Sequence, residues 1–141
     1  MVSKPSYTGS DEWRRALSVA ESVKQTALGL QLEPKSEWLR QVIKEAAEQM
    51  RAAVLWAAAQ DAPAGRSRDA LRPLIVAADA TRSDAALASY FLAFLRHEGL
   101  MPEDTASDVA RQLDQTESGM DALSRELREE LGFEPYAPAP P

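Results

Sequence analysis

Apolar residues along this chain recur at three- and four-residue steps and hardly ever alternate, which predicts helices and no sheet. Trp13, Leu17, Ala20, Ala27 and Leu30 form one stripe and predict a first helix over about 11–29. Ser10 serves as its N-cap, with Asp11 and Glu12 in its first turn, and Gly29 to Pro34 ends it. Ser36 caps a second helix over about 37–60, whose stripe is Leu39, Val42, Ile43, Ala46, Ala47, Met50, Ala53, Val54 and Ala57. A turn over 60–68 contains Pro63 and Gly65, and Asp69 then caps a third helix over about 70–98, with Pro73 tolerated in its first turn. Its stripe of Leu71, Leu74, Ile75 and Ala78 is interrupted by T-R-S-D at 81–84. Arg82 projects close to that stripe and is either an interior ion-paired arginine or the sign of a local helix break.

The third helix then holds the stretch that organises the rest, Ala85 to Leu95, without charge, Gly or Pro. A helix apolar on every side must be covered on every side, so this stretch is the centre of a bundle, or core and interface together. Gly99 supplies its C-cap and Pro102 falls in the first turn of the next helix. That leaves a connection of two or three residues, which demands antiparallel neighbours. The fourth helix is the clearest heptad, with Ala106, Val109, Leu113, Thr116, Met120, Leu123 and Leu127, then Leu131, and Gly132 as cap. These elements predict an all-α, antiparallel up-down-up-down four-helix bundle over 10–132, preceded by a short N-terminal arm (1–9) and followed by a flexible Pro-rich tail (133–141).

Composition narrows the picture. A chain of 141 residues makes one domain with a core of its own. It contains no cysteine, which removes disulfides, thiol catalysis and Cys-based zinc sites. No window has the length and apolarity of a membrane span or signal peptide, so the expected place is the cytoplasm and no membrane contact is expected. The net charge of -6 is uneven: residues 1–72 hold 11 Lys and Arg against 9 Asp and Glu, whereas residues 73–141 hold 5 against 13. An acidic surface repels phosphate, so any nucleic-acid contact must come from a local patch in the first half.

Two such patches exist. Arg66, Arg68 and Arg72 crowd the start of the third helix, where free backbone N–H groups add to the guanidinium charge and suit a phosphate. They suit equally well pairing with the acidic second half. Arg40, Lys44 and Arg51 make a second basic line on the second helix, bordered by Glu37 and Glu48, which suits a solvated, salt-laced face. Trp38 and Trp56 lie off the core stripe of the same helix, pointing the same way roughly 27 Å apart. They tuck against the arm and flanking loops, or they anchor a subunit interface.

Catalytic chemistry is not visible. His97 is the single histidine and suits the negative end of its helix. No phosphate loop, nucleophile elbow or H-E-x-x-H occurs. Glu45 and Glu48 make an E-x-x-E pair, but a magnesium site needs a second acidic pair facing it, and Glu117 with Asp121 has the wrong spacing and lies on an acidic outer face. No metal, cofactor or enzymatic activity is therefore expected.

The order of these features resembles a known family. Trp13 early in the first helix, L-R-Q-V-I-K-E-A-A-E-Q-M-R-A-A-V in the second, the Gly65–Arg66 turn and the Gly99–Leu100–Met101 turn are similar to the small four-helix-bundle proteins of 23S rRNA intervening sequences and the accessory proteins of diversity-generating retroelements. The resemblance covers about residues 11–131. It implies a bundle assembled with itself into a ring, commonly a pentamer, with Trp38, Trp56, Tyr90, Phe91 and Phe94 supplying the interface. It also implies a non-enzymatic role as accessory or structural subunit, bound to nucleic acid or to a protein–nucleic-acid complex such as one with a reverse transcriptase. The retroelement proteins are strongly basic, and this chain is acidic. An alternative function is an acidic inhibitor or nucleic-acid mimic that blocks a basic partner protein, with the carboxylates of the fourth helix standing in for phosphates.

Overall fold

A computed structural model describes residues 11–61 and 71–132. The N-terminal arm, residues 62–70 and the Pro-rich tail, and with them Ser10, Asp69, Arg66 and Arg68, lie outside the described residues. Four helices form: α1 (Asp11–Leu28), α2 (Glu37–Asp61), α3 (Leu71–His97) and α4 (Glu103–Leu131). They pack in a cycle, each on the helices before and after it in the chain, and α1 against α4 closes the ring. The start of α2 meets the end of α1 through Arg40 and Ala27, and the end of α3 through Trp38 and Phe91. Asp79 early in α3 meets Arg128 late in α4. Neighbours along the chain are therefore antiparallel, the up-down-up-down form of the four-helix bundle.

The boundaries follow local chemistry. Residues Pro34–Ser36 form a single 3-10 turn leading directly into α2, so Ser36 closes that turn rather than capping the helix. Gly99 takes a positive φ of 70°, and the N–H of Leu100 reaches back to the carbonyl of Leu95 at 2.8 Å, which ends α3. Gly132 does the same for α4 with φ 99°. Pro102 stands one place earlier than the sequence suggests. It is the N-cap, its carbonyl accepting the Ala106 N–H at 3.0 Å, so the α3–α4 connection spans residues 98–102.

Arg82 neither breaks α3 nor enters the interior. The helix is continuous, and Arg82 is exposed with Nη1 3.9 Å from Oδ1 of Asp121 on α4. The apolar stripe is not interrupted, because Thr81 carries it: Leu74, Ala78, Thr81, Ala85, Ala88, Leu92 and Leu95 are all buried at alternating steps of four and three. The Thr81 hydroxyl donates to the carbonyl of Ala77 at 2.8 Å, so it enters the core with its hydrogen bond already made. Thr116 does likewise on α4, donating to Gln112 at 3.0 Å. The two threonines fall between the two apolar clusters of the core. One cluster joins the end of α1, the start of α2, the end of α3 and the start of α4, and the other occupies the opposite end around Trp13, Leu74 and Met120. All eight positions of the α4 heptad from Ala106 to Leu131 are buried.

Candidate interaction surface

The surface formed by α2 and α3 departs most from what an isolated bundle would carry. Within the Ala85–Leu95 stretch, Ala85, Ala88, Leu92 and Leu95 are buried, but Leu87, Tyr90 and Phe94 are exposed. Among the described residues, this stretch is therefore buried on one side and exposed on the other. Tyr90 is 70% exposed, and Val76, about three turns before Leu87, is 61% exposed. Trp38 and Trp56 on α2 are exposed as well. Trp38 packs edge-on against Phe91 with ring centres 6.0 Å apart, and Tyr90 packs edge-on against Phe91 at 5.2 Å. The half-buried Phe91 thus bridges the two helices, and three aromatic rings form one cluster at the α3 C-terminal end of the face. Trp56 lies further along α2, toward the level where α3 begins.

The structure brings Trp38, Tyr90 and Phe91 together and sets Phe94 one turn beyond Tyr90 on the same side of α3. The interface residues named from the sequence do not include Val76 and Leu87. Their signal is a second four-and-three spacing on α3, out of phase with the core stripe. Glu45 on α2 and Asp84 on α3 are acids within this region. Asp84 is half-buried, and burial pushes its carboxyl above the usual carboxylate range.

The basic residues are dispersed. Arg40 is committed to α1, donating to the carbonyls of Ala27, Leu28 and Leu30 and to Glu37. Lys44 stands 3.8 Å from Glu48, and Arg51 and Arg72 are exposed. Arg40, Lys44 and Arg51 do follow one line on α2, and Arg40 shows that this line borders α1. The acids of α4 are interleaved with arginines: Arg96 pairs with Glu103, Arg111 with Asp108, and Arg125 with Asp121 at 3.1 Å. Arg96 holds the Glu103 carboxyl below its ordinary range. Glu117, half-buried beside Asp114, is pushed upward by burial and by that neighbouring charge.

A groove of about 530 Å³ lies between α3 and α4, rimmed by His97, the Arg96–Glu103 pair and Asp114. It contains no nucleophile paired with a base. Among the described residues no group of three or more His, Asp or Glu converges on a point where a metal ion would sit. No described helix is long and apolar enough to cross a membrane. Compared with protein-family models, with curated proteins and with solved structures, the chain matches none of them.

Proposed function

We propose that this protein is a non-enzymatic helical-bundle subunit that acts by association, joining copies of itself and serving as accessory or structural part of a larger protein or protein–nucleic-acid complex. The observation that carries this reading is the exposed apolar face of α2 and α3, with Trp38, Trp56, Val76, Leu87, Tyr90 and Phe94 all open to solvent. Large aromatic side chains gathered on one face are the usual anchors of protein interfaces. The resemblance to intervening-sequence and retroelement accessory proteins supports the same role. Where the complex contains nucleic acid, Arg66, Arg68 and Arg72 are the contacts of first choice, and Lys44 and Arg51 follow. Arg40 contributes less, because its donors already serve the α1 carbonyls.

Light scattering on the purified chain at moderate salt tests the reading. An assembly of two or more chain masses supports it, and charge reversal at Arg66 and Arg68 then tests the nucleic-acid arm separately. A chain that stays monomeric and recruits no partner through this face overturns it.

A further inference from the structure

We infer that the outer seam of α3 pairs with the same seam of a second copy, antiparallel, about a two-fold axis level with Ala85. The inference rests on reading the α2–α3 face as an interaction surface and specifies its occupant. Val76, Ala80, Ser83, Leu87, Tyr90 and Phe94 follow one another at alternating steps of four and three, the spacing of a coiled-coil seam. At about 100° per residue they lie within about 40° of a single line along the helix. All six are exposed, on the side of α3 away from its core stripe. A sustained seam of this kind asks for another helix.

The sizes along the seam say which helix and which direction. The first three positions are Val, Ala and Ser, and the last three are Leu, Tyr and Phe. A parallel pairing would set Tyr90 on Tyr90 and Ala80 on Ala80, crowding one end and leaving a gap at the other. The antiparallel pairing about Ala85 sets Phe94 against Val76, Tyr90 against Ala80 and Leu87 against Ser83. Each large side chain then meets a smaller one, which lets every layer close to interior density. The same rotation brings Arg72 level with Glu98 of the second copy at both ends of the seam, so opposite charges flank the apolar layers. A patch complementary to itself in this way makes a closed, isologous pair, whereas a ring needs two different patches. The net charge of -6 per chain opposes the approach of two copies, so the pair forms most readily at moderate salt.

The absence of native cysteine gives a direct test. Val76→Cys and Phe94→Cys variants are purified separately and oxidised alone and as a mixture. In the antiparallel pair, Val76 of one copy lies roughly 27 Å from Val76 of the other, and the same holds for Phe94, far beyond disulfide reach. The expected result is a disulfide-linked species of two chains in the mixture and none from either variant alone. In parallel, Tyr90→Asp shifts the wild-type mass from twice the 15.4 kDa chain to a single chain without loss of helical signal. An oligomer in which Val76→Cys links to itself, or in which the mixture does not link, overturns this pairing and leaves the surface standing. A wild-type chain that is monomeric overturns the pairing and self-association together, and leaves the face to a different protein.

Discussion

Arg40 of α2 donates from Nη1 to the carbonyl oxygen of Ala27 at 2.7 Å, and so caps a helix to which it does not belong. The same guanidinium reaches Leu28 at 3.0 Å and, through Nη2, Leu30 at 2.6 Å, while Glu37 accepts from its Nε. The last turn of α1 has no basic residue of its own, and its final carbonyls lack intrahelical partners. Arg40 supplies the missing donors and the missing positive charge at once. We expect Arg40→Ala to lose about 1–3 kcal/mol in urea denaturation, the cost of leaving partly buried carbonyls without a charged donor. Arg40→Lys recovers only part of that, since a single ammonium does not span three carbonyls as a planar fork does. An Arg40→Ala protein with the wild-type midpoint would show that water replaces the cap.

How much of this was legible in the sequence depends on the range of the interaction. The α4 heptad, the α2 core stripe and the glycines that end α3 and α4 are local signals, and the structure follows them. In the sequence the hydroxyl of Thr81 reads as an interruption, yet a threonine that bonds the carbonyl four residues back is compatible with a buried stripe. Helical angle alone groups Arg40 with Lys44 and Arg51. Nothing in α2 reveals that α1 ends beside it, because that depends on the path of the turn through Gly29–Ser36. The aromatic face was legible as a question: a stretch apolar on every side is either the centre of one bundle or core and interface together. Which half of it faces outward depends on the buried stripe from Leu74 to Leu95, whose phase Thr81 carries.

Asp79 and Arg128 join α3 to α4 by a second device of this kind. Arg128 Nη2 donates to Asp79 Oδ2 at 2.6 Å, Ser124 Oγ donates to Asp79 Oδ1 at 2.7 Å, and Arg128 Nε lies 3.3 Å from Ser124 Oγ. About a third of each charged side chain remains exposed, which limits the worth of the pair through solvent screening. A double-mutant cycle with Asp79→Asn and Arg128→Met is expected to give a coupling of about 1 kcal/mol. Raising the salt concentration to 1 M should shrink it only partly, because Ser124 holds the carboxylate in place. A coupling near zero would place the three groups among the surface contacts that contribute nothing.

Asp84 works against the fold at neutral pH. Burial holds its carboxyl above the ordinary range, so the charged form is disfavoured in the folded state relative to the unfolded one. The sign follows from linkage. Below the unfolded pKa the carboxyl is protonated in both states and costs nothing. As pH rises through the folded pKa, the unfolded state ionises first and stability falls. Asp84→Asn removes that loss and is expected to melt above the wild type at pH 7, with the gap closing as pH is lowered below the usual carboxylate range. A gap that stays constant from pH 7 to pH 3 would mean the substitution acts through packing instead.

Gly119 offers the plainest route to a more stable chain. It sits inside α4, where glycine costs roughly 1 kcal/mol relative to alanine through backbone entropy. An added Cβ would meet Cγ of Glu12 on α1 at 3.6 Å, an ordinary van der Waals distance to a flexible side chain. Gly119→Ala should therefore gain helix propensity and add a contact between α1 and α4, raising the melting midpoint by roughly 3 °C. Gly99→Ala provides the opposing control. Nothing obstructs a Cβ there, but the residue holds φ at +70°, so the substitution strains the backbone and is expected to cost about 1 kcal/mol. If Gly119→Ala instead destabilised the chain, the α1–α4 approach would have to be tighter than this geometry shows, and the gain should then return on shortening Glu12 to alanine.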